Sequence, residues 1–175
     1  MKISKVEISK FRSIEYGTFE IDGMVGIVGQ NNSGKTAILR ALNSFFNPSL
    51  ELENYLNTTN LYSTNRAVPR ITLSFHHIPN KAIYLPFIIH NQIVVKQEYK
   101  RRKFDYYVLN NGAFEAASEN FINELLKDIQ FILIPTERIA GLIGQTETRI
   151  LARLLDSFFS HHTKKRDTLT PKVKV

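Results

Sequence analysis

Gly29-Gln30-Asn31-Asn32-Ser33-Gly34-Lys35-Thr36 decides the reading of this chain. The octet fits G-x-x-x-x-G-K-[ST], a loop whose consecutive backbone N–H groups can converge on a chain of phosphates. Its flanks supply the context that this pattern needs. Upstream, Met24-Val25-Gly26-Ile27-Val28 is apolar on both faces, as a buried strand of an α/β sheet is, and it ends at Gly29. Downstream, Ala37, Ile38, Ala41, Leu42, Phe45 and Phe46 recur at the helical period until Asn47-Pro48 stops them. The expectation is a strand, a loop and a helix, with the loop at the positive end of the helix dipole.

Each part of the octet has a task in that chemistry. The N–H groups of about Asn32 to Thr36 would converge on the α- and β-phosphates of ATP, and Gln30, Asn31 and Ala37 complete the nucleotide-binding stretch. Gly29 and Gly34 keep side chains out of the way, and Gly34 lets the backbone approach the phosphate. Lys35 would bridge the β- and γ-phosphate oxygens, while the Thr36 hydroxyl would ligate Mg²⁺. The plainer alternative is a glycine-rich turn between strand and helix that holds no ligand.

Toward the N-terminus, Lys2 to Phe11 alternates, with Ile3, Val6, Ile8 and Phe11 among polar neighbours, and Tyr16 to Ile21 repeats a short alternation after a turn. These read as two antiparallel strands. Toward the C-terminus, residues 47 to 69 are rich in Asn, Ser and Thr between Pro48 and Pro69, which reads as a loop with at most one helical turn. Strand character returns at Arg70 to His76 and at Leu85 to Lys96, whose Ile88, Ile89, Ile93, Val94 and Val95 are too β-branched for a good helix. Phe104 to Leu109 then runs into the hairpin turn Asn110-Asn111-Gly112. A β-rich, antiparallel insertion over about 70–115 is the expectation.

Ala116 to Lys127 has helical spacing, and Ile129 to Ile134 reads as another buried strand, closed by Pro135. A last helix is expected from near Thr146 to about His161, on the stripe Ile150, Leu151, Leu154, Leu155 and Phe158. The organisation implied is one lobe over 1–161 followed by a basic tail over 162–175.

Composition narrows the classes. With 43% hydrophobic and 22% charged residues, the chain has the make-up of an ordinary globular domain, which excludes disordered and collagenous readings. The absence of cysteine excludes disulfide frameworks, thiolate zinc sites and cysteine nucleophiles, and suits a reducing compartment. The charged start Met1 to Glu7 has no signal-peptide core, and no run approaches the ~18 apolar residues of a membrane span. A cytoplasmic protein without membrane partners is expected.

The net charge of +7 is unevenly placed: residues 1–60 balance, and the excess lies mainly in Lys100-Arg101-Arg102-Lys103 and in Lys164, Lys165, Arg166, Lys172 and Lys174. Tyr99, Phe104, Tyr106 and Tyr107 interleave with the first of these runs, an arrangement able to stack bases beside phosphates. Ordinary sheet packing with an exposed basic edge is the simpler reading. The adjacent pairs His76-His77 and His161-His162 point to different faces of a strand or helix and make a poor metal site.

Ile8-Ser9-Lys10-Phe11-Arg12-Ser13, then the apolar run, then Gly29 to Thr36, then Ala37-Ile38-Leu39-Arg40-Ala41-Leu42, resembles the N-terminus of the ATP-binding-cassette ATPases of DNA maintenance and defence. That group includes the SMC, RecF and OLD proteins, and the Ile134-Pro135-x-x-Arg138 form is similar to the OLD type. The resemblance implies an α/β P-loop lobe with an antiparallel β subdomain, incomplete on its own. It implies ATP and Mg²⁺ as cofactors, Arg12 as a nucleotide contact, and Glu137, where the cassette's glutamine would stand, as a contact to the metal's water. For the intact protein it implies ATP-gated dimerisation, engagement of DNA, and a role in DNA repair, maintenance or phage defence.

Hydrolysis in that family also needs a Walker B strand ending in acids and a signature motif from a dimer partner. Phe131 to Ile134 is apolar enough for such a strand, but Pro135 and Thr136 separate it from Glu137, and no two glycines adjoin to make a signature. The five aspartates show no D-x-D spacing of the kind expected in an OLD-type nuclease centre. The chain therefore reads as an ATP-binding N-terminal part that does not hydrolyse ATP alone. The rival reading is a vestigial, non-catalytic module that binds nucleic acid or an acidic partner through its basic stretches.

Overall fold

The computed structural model of the chain describes residues 1–49, 68–100, 103–129 and 131–133. The chain divides into two units, 1–131 and 132–175, and the fold below is that of the first.

Strand β1 (Lys2–Phe11) buries Val6, Ile8 and Phe11 together, although the spacing from Ile8 to Phe11 is one residue too long for strict alternation. Lys10 absorbs the extra residue by taking a left-handed backbone with φ 54°, which turns Phe11 back to the core. A register shift between Ile3 and Lys5 against the neighbouring strand does the same at the other end. A two-residue turn, Arg12-Ser13, leads into β2 (Ile14–Glu20), with Phe11 opposite Ile14.

β3 (Arg70–His76) returns to pair with the other edge of β1. β4 (Ile93–Lys100), β5 (Lys103–Asn110) and β6 (Ala113–Ala116) follow as successive antiparallel neighbours, so the sheet order is β2-β1-β3-β4-β5-β6. The segment expected as a β insertion thus extends the same sheet as the N-terminal hairpin. Asn111 and Gly112 close the β5–β6 hairpin with φ of 47° and 84°, the positive pair that a tight hairpin turn requires and that Asn-Gly supplies.

Among the described residues, two helices pack on the sheet. α1 (Lys35–Phe46) buries Ala37, Ala41, Leu42, Phe45 and Phe46, the predicted stripe with Ile38 at its margin. α2 (Glu119–Asp128) starts where the Ser118 hydroxyl accepts from the Phe121 N–H at 3.2 Å, and it buries Phe121, Ile122 and Leu125. Between them lies a core of Val6, Ile8, Ile71, Leu73, Phe75, Ile93, Val95 and Val108 from the four central strands.

A buried polar knot fastens α1 to this core. Gln97, 1% exposed on β4, donates from Nε2 to the Ser44 carbonyl oxygen at 2.7 Å and to the Tyr106 hydroxyl at 2.8 Å. The Tyr106 hydroxyl in turn donates to the Phe45 carbonyl oxygen at 2.6 Å. Burial raises the Tyr106 phenol far above its ordinary range, so it remains a donor.

Several expectations are corrected. Met24–Val28 is not a strand: Met24 is 99% and Val28 92% exposed, because none of the six strands lies beside this run and an apolar segment cannot bury two faces alone. The strand expected from Leu85 begins only at Ile93. Pro86, which has no N–H for a sheet ladder, sits in a short 3₁₀ turn, Leu85–Phe87, and a bridge between Ile89 and Gln92 reverses the chain. Ala116 belongs to β6, and the helix starts three residues later, after its cap. Ile129 and residues 131–133 are irregular; Phe131 stacks on Phe46 with ring centroids 5.0 Å apart. Most of the 47–69 loop, Pro135, the helix expected from Thr146 and the basic tail lie outside the described residues.

Candidate phosphate-binding site

Helix α1 opens on Gly34, which is its N-cap residue with φ 95° and ψ 2°. That left-handed backbone costs an L-residue about 1 kcal/mol or more, so glycine is required for its φ. Space alone does not require it: an added Cβ would meet Ser13 Oγ at 3.5 Å and Ile14 Cγ1 at 3.8 Å, ordinary contact distances. No side chain caps the helix and no acid lies in its first turn. Its leading N–H groups therefore have neither an intrahelical partner nor a carboxylate to satisfy them.

The loop before it is held by its own backbone. The Ser33 N–H donates to the Gln30 carbonyl oxygen at 3.2 Å, and Asn32 takes a left-handed φ of 65°. Lys35 folds back over this turn, its ammonium donating to the Gly29 carbonyl oxygen at 2.8 Å and to that of Gln30 at 2.7 Å. An added Cβ at Gly29 would stand 2.7 Å from Ser33 Oγ, a contact that rotation of the serine side chain relieves. Gln30, Asn31, Asn32, Ser33 and Thr36 are exposed, and Gly34 and Lys35 are half-buried. Ala37 departs from the rest: its side chain is in the core, which leaves only its N–H facing the loop end of the helix.

The fold brings one more residue of the sequence prediction to this place. Arg12 lies in the β1–β2 turn, whose next two residues, Ser13 and Ile14, pack against Gly34. Its backbone is left-handed with φ 52°, unusual for arginine, and its Nε is buried without a hydrogen-bond partner among the described residues. Strain and an unspent buried donor commonly mark a functional position. Ser13 carries no signal in the sequence for its place beside Gly34, since nothing local links a turn residue to a glycine so much farther along the chain. Glu137 lies outside the described residues.

The donors carried by this loop and its adjoining turn are an ammonium, uncapped helix N–H groups, the Ser33 and Thr36 hydroxyls and a guanidinium. That is a donor set for a polyanion such as the phosphates of a nucleotide. Other surfaces suit an anion less well. A hollow of about 610 Å³ between β5 and α2 has Phe104, Tyr106, Ile122 and Leu126 in its lining, but also Asp105 and Glu119. On the outer face of the sheet Lys103 pairs with Asp105 at 2.8 Å. Nearby, Arg70 and Lys96 both pair with Glu98, at 3.1 and 3.0 Å. Burial works to raise the Glu98 carboxyl, yet these two cations together hold it below its ordinary range. Lys96 is further held over the rings of Tyr107 and Phe114, at 4.8 and 4.4 Å from their centroids. Among the described residues no cluster of histidines and acids is arranged to hold a metal.

A phosphate-binding loop at the head of a helix on a mixed α/β domain defines a nucleotide-binding class. The comparison with known families gives the same class: the model of the AAA ATPase domain matches residues 1–167, and the chain belongs to that family. At this coarse level the match supports a P-loop ATPase of the RecF, SMC and OLD type, and with it ATP binding, typically with Mg²⁺. No curated protein matches the chain. Among the described residues no helix is long and apolar enough to cross a membrane.

Proposed function

We propose that this chain binds Mg-ATP through Gly29 to Thr36 and forms the N-terminal part of a RecF/SMC/OLD-like ATPase acting on DNA in repair, maintenance or phage defence. The observation that carries the reading is the placement of the Lys35 ammonium on the Gly29 and Gln30 carbonyl oxygens, beside the uncapped start of α1. Lys35 is held over the loop, where it bonds to β- and γ-phosphate oxygens. The N–H groups from about Asn32 to Ala37 receive the phosphates, and the Thr36 hydroxyl holds Mg²⁺. Arg12 turns its unspent donor toward the same anion. When bound, Mg²⁺ would supply charge that neutralises the phosphates.

Hydrolysis requires acids at the end of a Walker B strand and a signature motif from a dimer partner, supplied outside the residues described here. The exposed run Met24–Val28 supports this part of the reading, since a segment apolar on both faces is completed by strands laid along it. The same completion would bring Glu137 or another acid to the metal, and ATP-gated pairing of two copies would bring DNA into reach. The rival reading is a vestigial module that binds nucleic acid or an acidic partner through Lys100 to Lys103 and Lys164 to Arg166; of these, Lys103 is paired with Asp105.

Calorimetric titration with Mg-ATP tests the proposal. The chain should bind, and Lys35→Ala, at an exposed bond that the core does not need, should bind at least 100-fold more weakly while unfolding at the same temperature. Wild-type affinity in Lys35→Ala would sink the assignment.

A further inference from the structure

The β1–β2 turn contributes more to the loop than the arginine. Ser13, its second residue, places its hydroxyl oxygen 3.5 Å from the position a Cβ on Gly34 would take. Gly34 is the cap residue of α1, and it has no side chain with which to satisfy the helix's leading N–H groups. Ser13 is exposed, so its hydroxyl is open to whatever sits at the mouth of the loop. The turn is also fixed rather than loosely placed. Phe11, before it, is fully buried, Ile14, after it, packs on Gly34, and the Lys10 ammonium donates to the Glu15 carboxylate at 2.7 Å across the hairpin stem.

We propose that Ser13 is a further nucleotide-binding residue, donating its hydroxyl proton to a phosphate oxygen of the ATP held by Gly29 to Thr36. The inference rests on the phosphate-loop reading above and adds a contact from a strand turn outside the motif. The chemistry is direct: a hydroxyl is a neutral donor that approaches an already crowded set of cations without repelling them.

The test compares Mg-ATP affinity and nucleotide-free melting temperature for the wild-type chain, Ser13→Ala and Ser13→Thr. A hydrogen bond to a charged phosphate predicts about ten-fold weaker binding for Ser13→Ala. Its melting temperature without nucleotide should be unchanged, and Ser13→Thr, which keeps the hydroxyl, should bind within about two-fold of wild type. Undiminished affinity in Ser13→Ala overturns the inference, and so does failure of threonine to restore binding or a fall in nucleotide-free melting temperature that tracks the loss. If the wild-type chain itself binds no Mg-ATP, it is the phosphate-loop reading that fails, a result distinct from any of these.

Discussion

Gln97 and Ser44, 53 positions apart, exchange two hydrogen bonds in the core: the Gln97 amide donates to the Ser44 carbonyl oxygen at 2.7 Å, and the Ser44 hydroxyl donates to Gln97 Oε1 at 3.2 Å. The pair locks the C-terminal half of α1 to β4, and so holds the axis of the helix whose other end carries the phosphate loop. Replacing Gln97 with Leu leaves the Ser44 carbonyl buried and unsatisfied, an effect of roughly 1–3 kcal/mol. Chemical denaturation should show that loss, while the fraction still folded keeps its ATP affinity.

Gly34 and Gly26 form a contrasting pair. Gly34→Ala forces an L-residue to φ 95° and should lose about 1–2 kcal/mol of stability, with weaker ATP binding because the cap of α1 shifts. Gly26→Ala meets nothing within 4 Å and has no positive φ, so it should be neutral within about 0.5 kcal/mol. Equal effects in the two variants would contradict the assigned backbone.

The exposed run before the loop gives a third prediction. Met24→Ser and Val28→Ser remove apolar side chains that are already in solvent, so the melting temperature should hold and self-association should fall. A loss of about 2 kcal/mol or more would mean that the run is buried in solution.

Acid should loosen the link between the β3–β4 connection and α2. Lys81 donates to Asp128 at 2.7 Å and to Glu124 at 3.0 Å, and the Tyr84 hydroxyl donates to Asp128 at 2.6 Å. The bonds from Lys127 and Lys81 hold the Glu124 carboxyl below its ordinary value of 4.5. A carboxyl depressed in the folded state stabilises above its unfolded pKa, and that contribution disappears as pH falls through the lower folded value. Stability should therefore drop on titration below about pH 4.5, and less steeply in Glu124→Gln.

The sequence made the site's local part legible and its long-range part only partly so. The octet, the stripe on α1 and the Asn-Gly hairpin are each written in adjacent residues, and their geometry follows from backbone rules that act over a few positions. Met24–Val28 misleads for a physical reason: a two-faced apolar run encodes a demand for neighbours, and periodicity cannot say whether the neighbours are there. Pro86 was the signal against a long strand from Leu85, outweighed by the β-branched residues after it. The nearness of Ser13 to Gly34 has no sequence signature, because it depends on the turn that follows the positive φ at Lys10 and Arg12.

The central claim is that phosphates sit on the loop's backbone N–H groups, and amide hydrogen exchange with and without Mg-ATP reads those groups directly. Protection confined to about Asn32 through Ala37, with the same amides unprotected in Lys35→Ala, is the result predicted. Mg-ATP that leaves those amides exchanging freely, or that protects only the Lys100 to Lys103 stretch, would contradict the account.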